Sequence, residues 1–201
     1  MGRLSNYKNK PGETPFDADG LIPPYITTRK ELDEAEFLNI SEATKFYLSN
    51  PSKINKFKII RENLFDLHKK MFFDVWSWAG KKRASNKNIG VEFFKIDEEI
   101  KKLEGDFIFW EENNANLIEL IAKLHHRLVW IHPFEGGNGR WSRLVVNIIY
   151  YKNTQKFIKW PANELQLKKK SSFREKYLLA LQKADHGKFD EFIMLHNDLM
   201  K

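Results

Sequence analysis

The 201-residue chain contains no cysteine. Disulfide bonds and thiolate metal sites are therefore excluded, and the composition fits a reducing compartment. The chain also lacks any apolar run that approaches the roughly 20 residues needed to span a membrane, and its first residues lack the apolar core of a signal peptide. These absences predict a soluble, cytoplasmic protein with no membrane partner.

The composition favours a packed interior and an anionic partner. Apolar residues make up 42% of the chain and aromatic residues 14%, and the length suits one domain. The net charge is +7 and the pI is near 9.4. A nucleotide matches this charge as well as DNA does. Binding to nucleic acid is the less favoured alternative, because the basic residues are widely spread and no recognised DNA- or RNA-binding signature is present.

Hydrophobic periodicity predicts a mainly α-helical fold. We expect an extended arm over the proline-containing residues 1–27 and a single domain over residues 28–201. Thr28 and Glu31 have the spacing of a capping box that starts the first helix. Two short segments, 81–85 and 91–95, predict a small β-hairpin. The predicted helices are 29–48, 56–72 continuing over 74–78, 96–110, 116–131, 139–152, 172–185 and 189–200.

The polar chemistry of the chain is concentrated between two apolar helical runs, residues 117–131 and 144–151. The intervening stretch reads His-Pro-Phe-Glu-Gly-Gly-Asn-Gly-Arg-Trp-Ser-Arg from His132 to Arg143. Its three glycines permit positive φ angles and a close approach of the backbone to a ligand. A helix that begins near Asn138 would direct free N–H groups and a favourable dipole at an anion. The loop is therefore a candidate phosphate-binding site.

Charged side chains reinforce this interpretation. Arg140 and Arg143 stand three residues apart and share a helix face, and each guanidinium offers a planar fork to phosphate oxygens. His132 ends the preceding helix and is the one residue of the loop that exchanges a proton near neutral pH. Each signal alone has an ordinary alternative: a satisfied histidine, a connecting turn or a solvated pair of arginines. Their coincidence in one loop favours the functional interpretation.

The string His132-Pro133-Phe134-x-x-Gly137-Asn138-Gly139-Arg140-x-x-Arg143 resembles the signature of Fic proteins, in the Fic/Doc superfamily. Residues 76–80, 88–91 and 20–28 resemble the subgroup called mobile mystery protein B, and the likeness covers about residues 16–200. It implies a Fic-type helical bundle with a small β-hairpin, called the flap, which holds a target protein by strand addition. The implied flap residues are Asn88, Ile89, Gly90 and Val91. A hairpin that only packs on the bundle is the alternative.

The resemblance also implies an activity, the transfer of AMP from ATP to a Ser, Thr or Tyr hydroxyl of a target protein. His132 would act as the general base. The backbone around Gly137, Asn138 and Gly139 would hold the α- and β-phosphates. Arg140 and Arg143 would neutralise the β- and γ-phosphates and the leaving pyrophosphate.

One position departs from the family pattern. Active Fic proteins usually carry Asp or Glu where this chain has Gly136, and that carboxylate binds Mg²⁺. Here the acid stands one residue earlier, as Glu135, which is the candidate metal ligand. Mg²⁺ held by phosphates and water is an alternative. So are transfer from another nucleotide donor and a nucleotide-binding module that is weak or inactive in catalysis.

Many Fic proteins are inhibited by a glutamate that pairs with the second arginine of the signature, supplied by the same chain or by an antitoxin-like partner. Residues 27–31 and 171–175 match only the first part of the inhibitory motif, and a capping box is the preferred interpretation of both. Within the first helix, the candidate inhibitory residues are Glu31, Glu34 and Glu36.

Overall fold

The computed structural model describes residues 19–113, 116–161 and 172–201. Most of the predicted arm, residues 1–18, lies outside the described residues. Over the described part the chain is mainly helical, as predicted. Its helices are α1 (Arg29–Leu48), α2 (Pro51–Lys56), α3 (Arg61–Phe72), α4 (Ile96–Asn113), α5 (Leu117–Ile131), α6 (Asn138–Thr154), α7 (Ser172–Asp185) and α8 (Asp190–Met200).

The predicted capping box at the start of α1 is confirmed. The Thr28 hydroxyl accepts a hydrogen bond from the Glu31 N–H at 3.3 Å, and the Glu31 carboxylate accepts from the Thr28 N–H at 2.8 Å. These two bonds satisfy donors that the first helical turn leaves without helical partners. The Glu31 carboxylate is therefore engaged in capping the start of α1.

The predicted end of α1 at Leu48 is confirmed, but the short helix that follows it was not predicted. The Asn50 side chain accepts from the Ser52 and Lys53 N–H groups and begins α2, so α3 begins at Arg61 rather than at residue 56. The predicted helical continuation over residues 74–78 is absent. There the backbone pairs with the described end of the arm, where the Ser77 N–H donates to the Gly20 carbonyl at 2.8 Å.

The loop with the candidate site is held between the two most deeply buried helices. The apolar face of α5 packs against α6 and α4, and α6 packs on α3. Trp141 of α6 is fully buried, and its indole N–H donates to the Leu64 carbonyl of α3 at 2.9 Å. Helices α7 and α8 cover the other side of α5 through a second apolar cluster that includes Ala122, Tyr177 and Phe192. The α5–α6 connection is thereby fixed at both ends.

The predicted β-hairpin is wrong: within the described residues, the pairing of Leu21 with Trp76 is an isolated bridge, and no strand forms between residues 81 and 95. Residues 84–92, here called the 84–92 loop, are held by side chains instead. The guanidinium of Arg83 donates to the carbonyls of Ser85 and Val91, and the Asn86 side chain accepts from the Phe93 N–H at 2.9 Å. These bonds replace the cross-strand ladder that a hairpin requires.

In the described part of the chain, no helix combines the length and apolar character needed to cross a bilayer.

Candidate active site

His132 terminates α5 in a left-handed conformation, with φ 50° and ψ 61°. Its backbone N–H donates to the Leu128 carbonyl at 3.3 Å, and its side chain is only 4% exposed. The 84–92 loop provides much of this cover. A Cβ atom placed on Gly90 would lie 2.5 Å from the His132 Cβ, so the close approach requires glycine at that position.

The surroundings keep the His132 imidazole neutral. Burial lowers its pKa to about 4, the nearby charges of Arg83 and Lys87 act in the same direction, and a backbone hydrogen bond to Val129 opposes them. Desolvation and like charge both disfavour the imidazolium. At neutral pH His132 is therefore able to accept a proton, which is the state that a general base requires.

The N-terminus of α6 is suited to an anion. Its cap residue is Gly137, with φ 74°, and no side chain caps the helix. The first-turn N–H groups, from Asn138 onward, thus have no helical carbonyl to bond. A Cβ on Gly137 would come within 2.4 Å of the Phe72 ring, so packing and backbone conformation both select glycine. Of the three glycines in the loop, Gly137 is the one with a positive φ.

The Asn138 side chain closes the loop. Its Oδ1 accepts from the Phe134 N–H at 3.0 Å, and its Nδ2 donates to the Phe134 carbonyl at 2.9 Å. The residue is buried, at 1% exposure. A contact of Asn138 with phosphate would therefore come from its backbone N–H, while its amide sets the shape of the turn.

Arg140 is paired with an acid from α1. Its two terminal nitrogens donate to the Glu36 carboxylate at 2.7 and 3.1 Å, and the Trp76 indole N–H also donates to that carboxylate at 2.9 Å. Burial alone would raise the pKa of Glu36, but the Arg140 charge and these hydrogen bonds hold it below its usual value. Glu36 is thus an anion that occupies Arg140.

Among the three glutamates predicted as candidate inhibitors, Glu36 is the one that contacts a motif arginine. Glu31 caps α1, and Glu34 lies 3.7 Å from Lys30. The contact differs from the expected one, since Glu36 pairs with the first arginine of the signature rather than with Arg143.

Arg143 is held through a chain of buried hydrogen bonds. His196 Nδ1 lies 2.7 Å from the Phe192 carbonyl, which can only accept, so Nδ1 carries the proton. His196 Nε2 then accepts from His125 Nδ1 at 3.0 Å, and His125 Nε2 accepts from the Tyr177 hydroxyl at 3.2 Å. The Tyr177 oxygen is left to accept from Arg143, with which it shares a side-chain hydrogen bond. Burial lowers the pKa of Arg143 to about 10, which leaves it cationic at neutral pH.

The site includes one residue that the sequence analysis did not identify, His68. This side chain is fully buried and stacks on Phe134 with ring centroids 3.6 Å apart. Nε2 donates to the Gly136 carbonyl at 3.1 Å, and Nδ1 accepts from the Gly80 N–H at 3.0 Å. Burial lowers its pKa to about 3. The neutral His68 therefore holds the loop through its bond to Gly136. Its position in an apolar helical stripe of the sequence did not indicate this role.

The residues at the predicted metal position do not fit a protein-held Mg²⁺. Glu135 forms an ion pair with Lys87. Gly136 lies against the Trp78 indole, and a Cβ there would be 3.1 Å from the ring. Within the described residues, no group of three His, Asp or Glu side chains is arranged to hold a metal ion. The Glu135 prediction therefore has no geometric support.

A comparison with protein families finds that the Fic/DOC family model matches residues 58–150, which include the whole loop and both helices beside it. The chain contains a Fic/DOC domain.

Curated relatives named protein adenylyltransferase Fic agree with this. The relative from Nematostella vectensis is 29% identical over 124 residues, which cover 59% of this chain and 29% of that protein. The relative from Drosophila virilis is 27% identical over 170 residues, which cover 82% of this chain and 33% of that protein. The chain thus spans about a third or less of the length of these relatives.

Solved Fic structures share the fold. The N-terminal Fic domain of a VirB-translocated Bep effector from Bartonella quintana has a TM-score of 0.69 and 19% identity, and the match covers 93% of this chain and 90% of that one. BepC from Bartonella tribocorum, solved with bound AMPPNP, has a TM-score of 0.67 and 17% identity, with 90% and 92% covered. The mobile mystery protein B subgroup stays a prediction.

Proposed function

We propose that this Fic/DOC protein is a protein adenylyltransferase, which transfers AMP from ATP to a Ser, Thr or Tyr hydroxyl of a target protein. The proposal is supported above all by the neutral His132 at the end of α5, in the short loop that leads to the uncapped N-terminus of α6, whose first turns carry Arg140 and Arg143. A proton acceptor and an anion-binding helix end are the two components that the reaction requires. The name of the curated relatives and the nucleotide bound to BepC support the same activity.

In the proposed reaction the acceptor hydroxyl attacks the α-phosphorus of ATP while His132 takes its proton. A new bond forms between the hydroxyl oxygen and the α-phosphorus, the bond to the bridging oxygen breaks, and pyrophosphate leaves. First-turn N–H groups of α6, from Asn138 and Gly139, hold the phosphates. Arg140 and Arg143 neutralise the charge that develops on the leaving group.

The 84–92 loop is the proposed contact for the target protein. Asn88, Ile89 and Gly90 are exposed, and the backbone N–H groups of residues 88–91 make no hydrogen bond to the described part of the chain. Free backbone donors can pair with an extended segment of another protein. Because Gly90 lies against the Cβ of His132, a segment bound to this loop would be held beside the general base.

No step of the proposed reaction requires a metal ion held by the protein. A divalent cation would enter with the nucleotide, coordinated by its phosphates and by water, as the strong hydration of Mg²⁺ permits. A cytoplasmic location and an antitoxin-like inhibitory partner stay predictions.

A nucleotide-binding module without catalysis is the second candidate, and two observations favour it: Gly136 supplies no carboxylate, and Glu36 already occupies Arg140. Incubation of the purified protein with α-labelled ATP, Mg²⁺ or Mn²⁺ and a cell lysate separates the two. Transferase activity predicts labelled protein that disappears with His132→Ala and persists with the exposed control His186→Ala. Nucleotide binding with no label under either metal would support the second candidate.

A further inference from the structure

Arg83 is among the largest fully buried side chains in the described part of the chain, with 1% exposure. Its guanidinium donates to backbone carbonyls from three places: Ser85 at 2.7 Å, Val91, and His132 at 2.7 Å. Its own backbone N–H donates to the Pro133 carbonyl at 3.0 Å. The residue therefore bridges both ends of the 84–92 loop and the end of α5.

A guanidinium that is buried and hydrogen-bonded to neutral backbone carbonyls is unusual. Burying an arginine is costly unless its donors are satisfied, and neutral carbonyl oxygens compensate less than a carboxylate does. Here burial is the main influence on the pKa of Arg83 and lowers it, while the charge of Glu135 opposes that effect. A leucine or methionine would fill the same space without this cost, so the fixed fork of donors and the charge itself need an explanation from the surroundings.

The surroundings provide two such explanations, one for the fork of donors and one for the charge. The planar fork reaches three carbonyls that diverge in direction, and no cross-strand ladder holds the loop between residues 81 and 95. The charge lies beside His132, and it is the second influence after burial that disfavours the imidazolium there. The other charge that acts on this histidine is Lys87, from the loop, which forms an ion pair with Glu135.

We propose that Arg83 is a positioning residue of the active site: it fastens the 84–92 loop to the end of α5 and places a permanent positive charge beside His132. Gly90 is then kept against the Cβ of His132, and the exposed backbone of residues 88–91 is presented to the target in one conformation. The inference rests on the proposed function only for its catalytic meaning, since the anchoring and the electrostatic effect are properties of the unliganded protein.

Two variants separate the two roles. Arg83→Met removes the fork and the charge, whereas Arg83→Lys keeps a charge but cannot bond three divergent carbonyls at once. Arg127→Met is the matched control, because Arg127 is a half-buried arginine on the same helix as His132 and pairs with Glu99 at 3.1 Å. Near-UV circular dichroism checks that each variant is folded.

The first readout is the titration of the His132 imidazole by NMR, assigned with a His132→Gln variant. The pKa of His132 is about 4 in the native protein, and Arg83→Met should move it upward toward 6.5, with Arg83→Lys staying closer to the native value. The second readout is hydrogen exchange at the two ends of the 84–92 loop, where the N–H of residue 83 donates to the Pro133 carbonyl and the Phe93 N–H donates to the Asn86 side chain. Both amides should exchange about tenfold faster or more in both variants, because the guanidinium bonds that hold the loop in place are lost.

Arg127→Met should change neither readout. A folded Arg83→Met protein with native loop exchange and a native His132 titration would overturn the proposal. If Arg83→Met does not fold, native loop exchange in Arg83→Lys would overturn the anchoring role. Neither readout needs turnover, so absence of transferase activity in the native protein leaves both tests decisive.

Discussion

Replacing Glu36 with glutamine should make the unliganded protein less stable and ATP binding tighter. The two terminal nitrogens of Arg140 are both taken by the Glu36 carboxylate, so a phosphate group that binds Arg140 has to displace it. Glutamine keeps the volume and one acceptor for the Trp76 indole but removes the negative charge.

The size of the effect follows from the burial of this pair. Removal of one partner of a fully buried ion pair costs about 3–5 kcal/mol. The Arg140 side chain is 27% exposed, so water screens part of the interaction, and we expect a loss of about 2 kcal/mol. For a protein of this size that is a fall in Tm of roughly 4–8 °C. Because the nucleotide restores a partner for Arg140, its affinity should rise by about tenfold or more, since 1.4 kcal/mol corresponds to tenfold.

Isothermal titration calorimetry with ATP and thermal unfolding with and without ATP measure these quantities. Glu34→Gln is the control, since Glu34 lies on the same helix, is 64% exposed and pairs with Lys30. It should leave both the Tm and the ATP affinity unchanged. Weaker ATP binding by Glu36→Gln would refute the reasoning, because it would mean that Glu36 orients Arg140 for the phosphate and does not compete with it.

Three further predictions concern other parts of the site. Tyr177→Phe removes the hydroxyl that hydrogen-bonds Arg143, so the ratio of ATP affinity to AMP affinity should fall by about tenfold. Equilibrium binding measures both affinities, and the control Tyr150→Phe should leave their ratio unchanged. Gly136→Asp alone should not create tight Mn²⁺ binding to the nucleotide complex, because the new side chain meets the Trp78 indole; adding Trp78→Ala should permit it. Electron paramagnetic resonance measures the Mn²⁺ affinity, and tight binding by the single variant would contradict this prediction. The free energy of unfolding should fall as pH drops from about 6.5 to 4, because His68, His132 and His196 have folded pKa values near 3 to 4 and take up protons on unfolding. Each histidine contributes up to about 1.4 kcal/mol per pH unit. Urea midpoints at successive pH values measure this loss, and a midpoint that is constant from pH 7 to 5 would contradict it.

Local patterns in the sequence predicted the helices other than α2 and the loop between α5 and α6. The capping box at Thr28, the apolar face of α5 and the helix start at Asn138 each depend on residues within a few positions of one another. Such short-range signals can be identified from the order of residues alone. The fold class and the Fic/DOC family followed from them and from the motif.

The contacts that complete the site join distant positions and left no pattern in the sequence. Glu36 and Arg140 are 104 residues apart, and His68 and Gly136 are 68 residues apart. The hairpin prediction failed for a similar reason, because Arg83 holds the 84–92 loop by a bond to His132, 49 residues away, and this bond replaces strand pairing. Buried polar side chains find partners through packing, and packing is set by the whole fold.

In the proposed function, the α6 N-terminus and His132 transfer a nucleotidyl group to a protein hydroxyl. Parallel reactions with ATP labelled at the α-phosphate and at the γ-phosphate test it most directly, each followed by denaturing electrophoresis of the acceptor proteins. We predict acceptor proteins that carry the α label and not the γ label, with the γ label recovered in pyrophosphate. Acceptors that carry the γ label, or pyrophosphate released with no α label on protein, would contradict the claim.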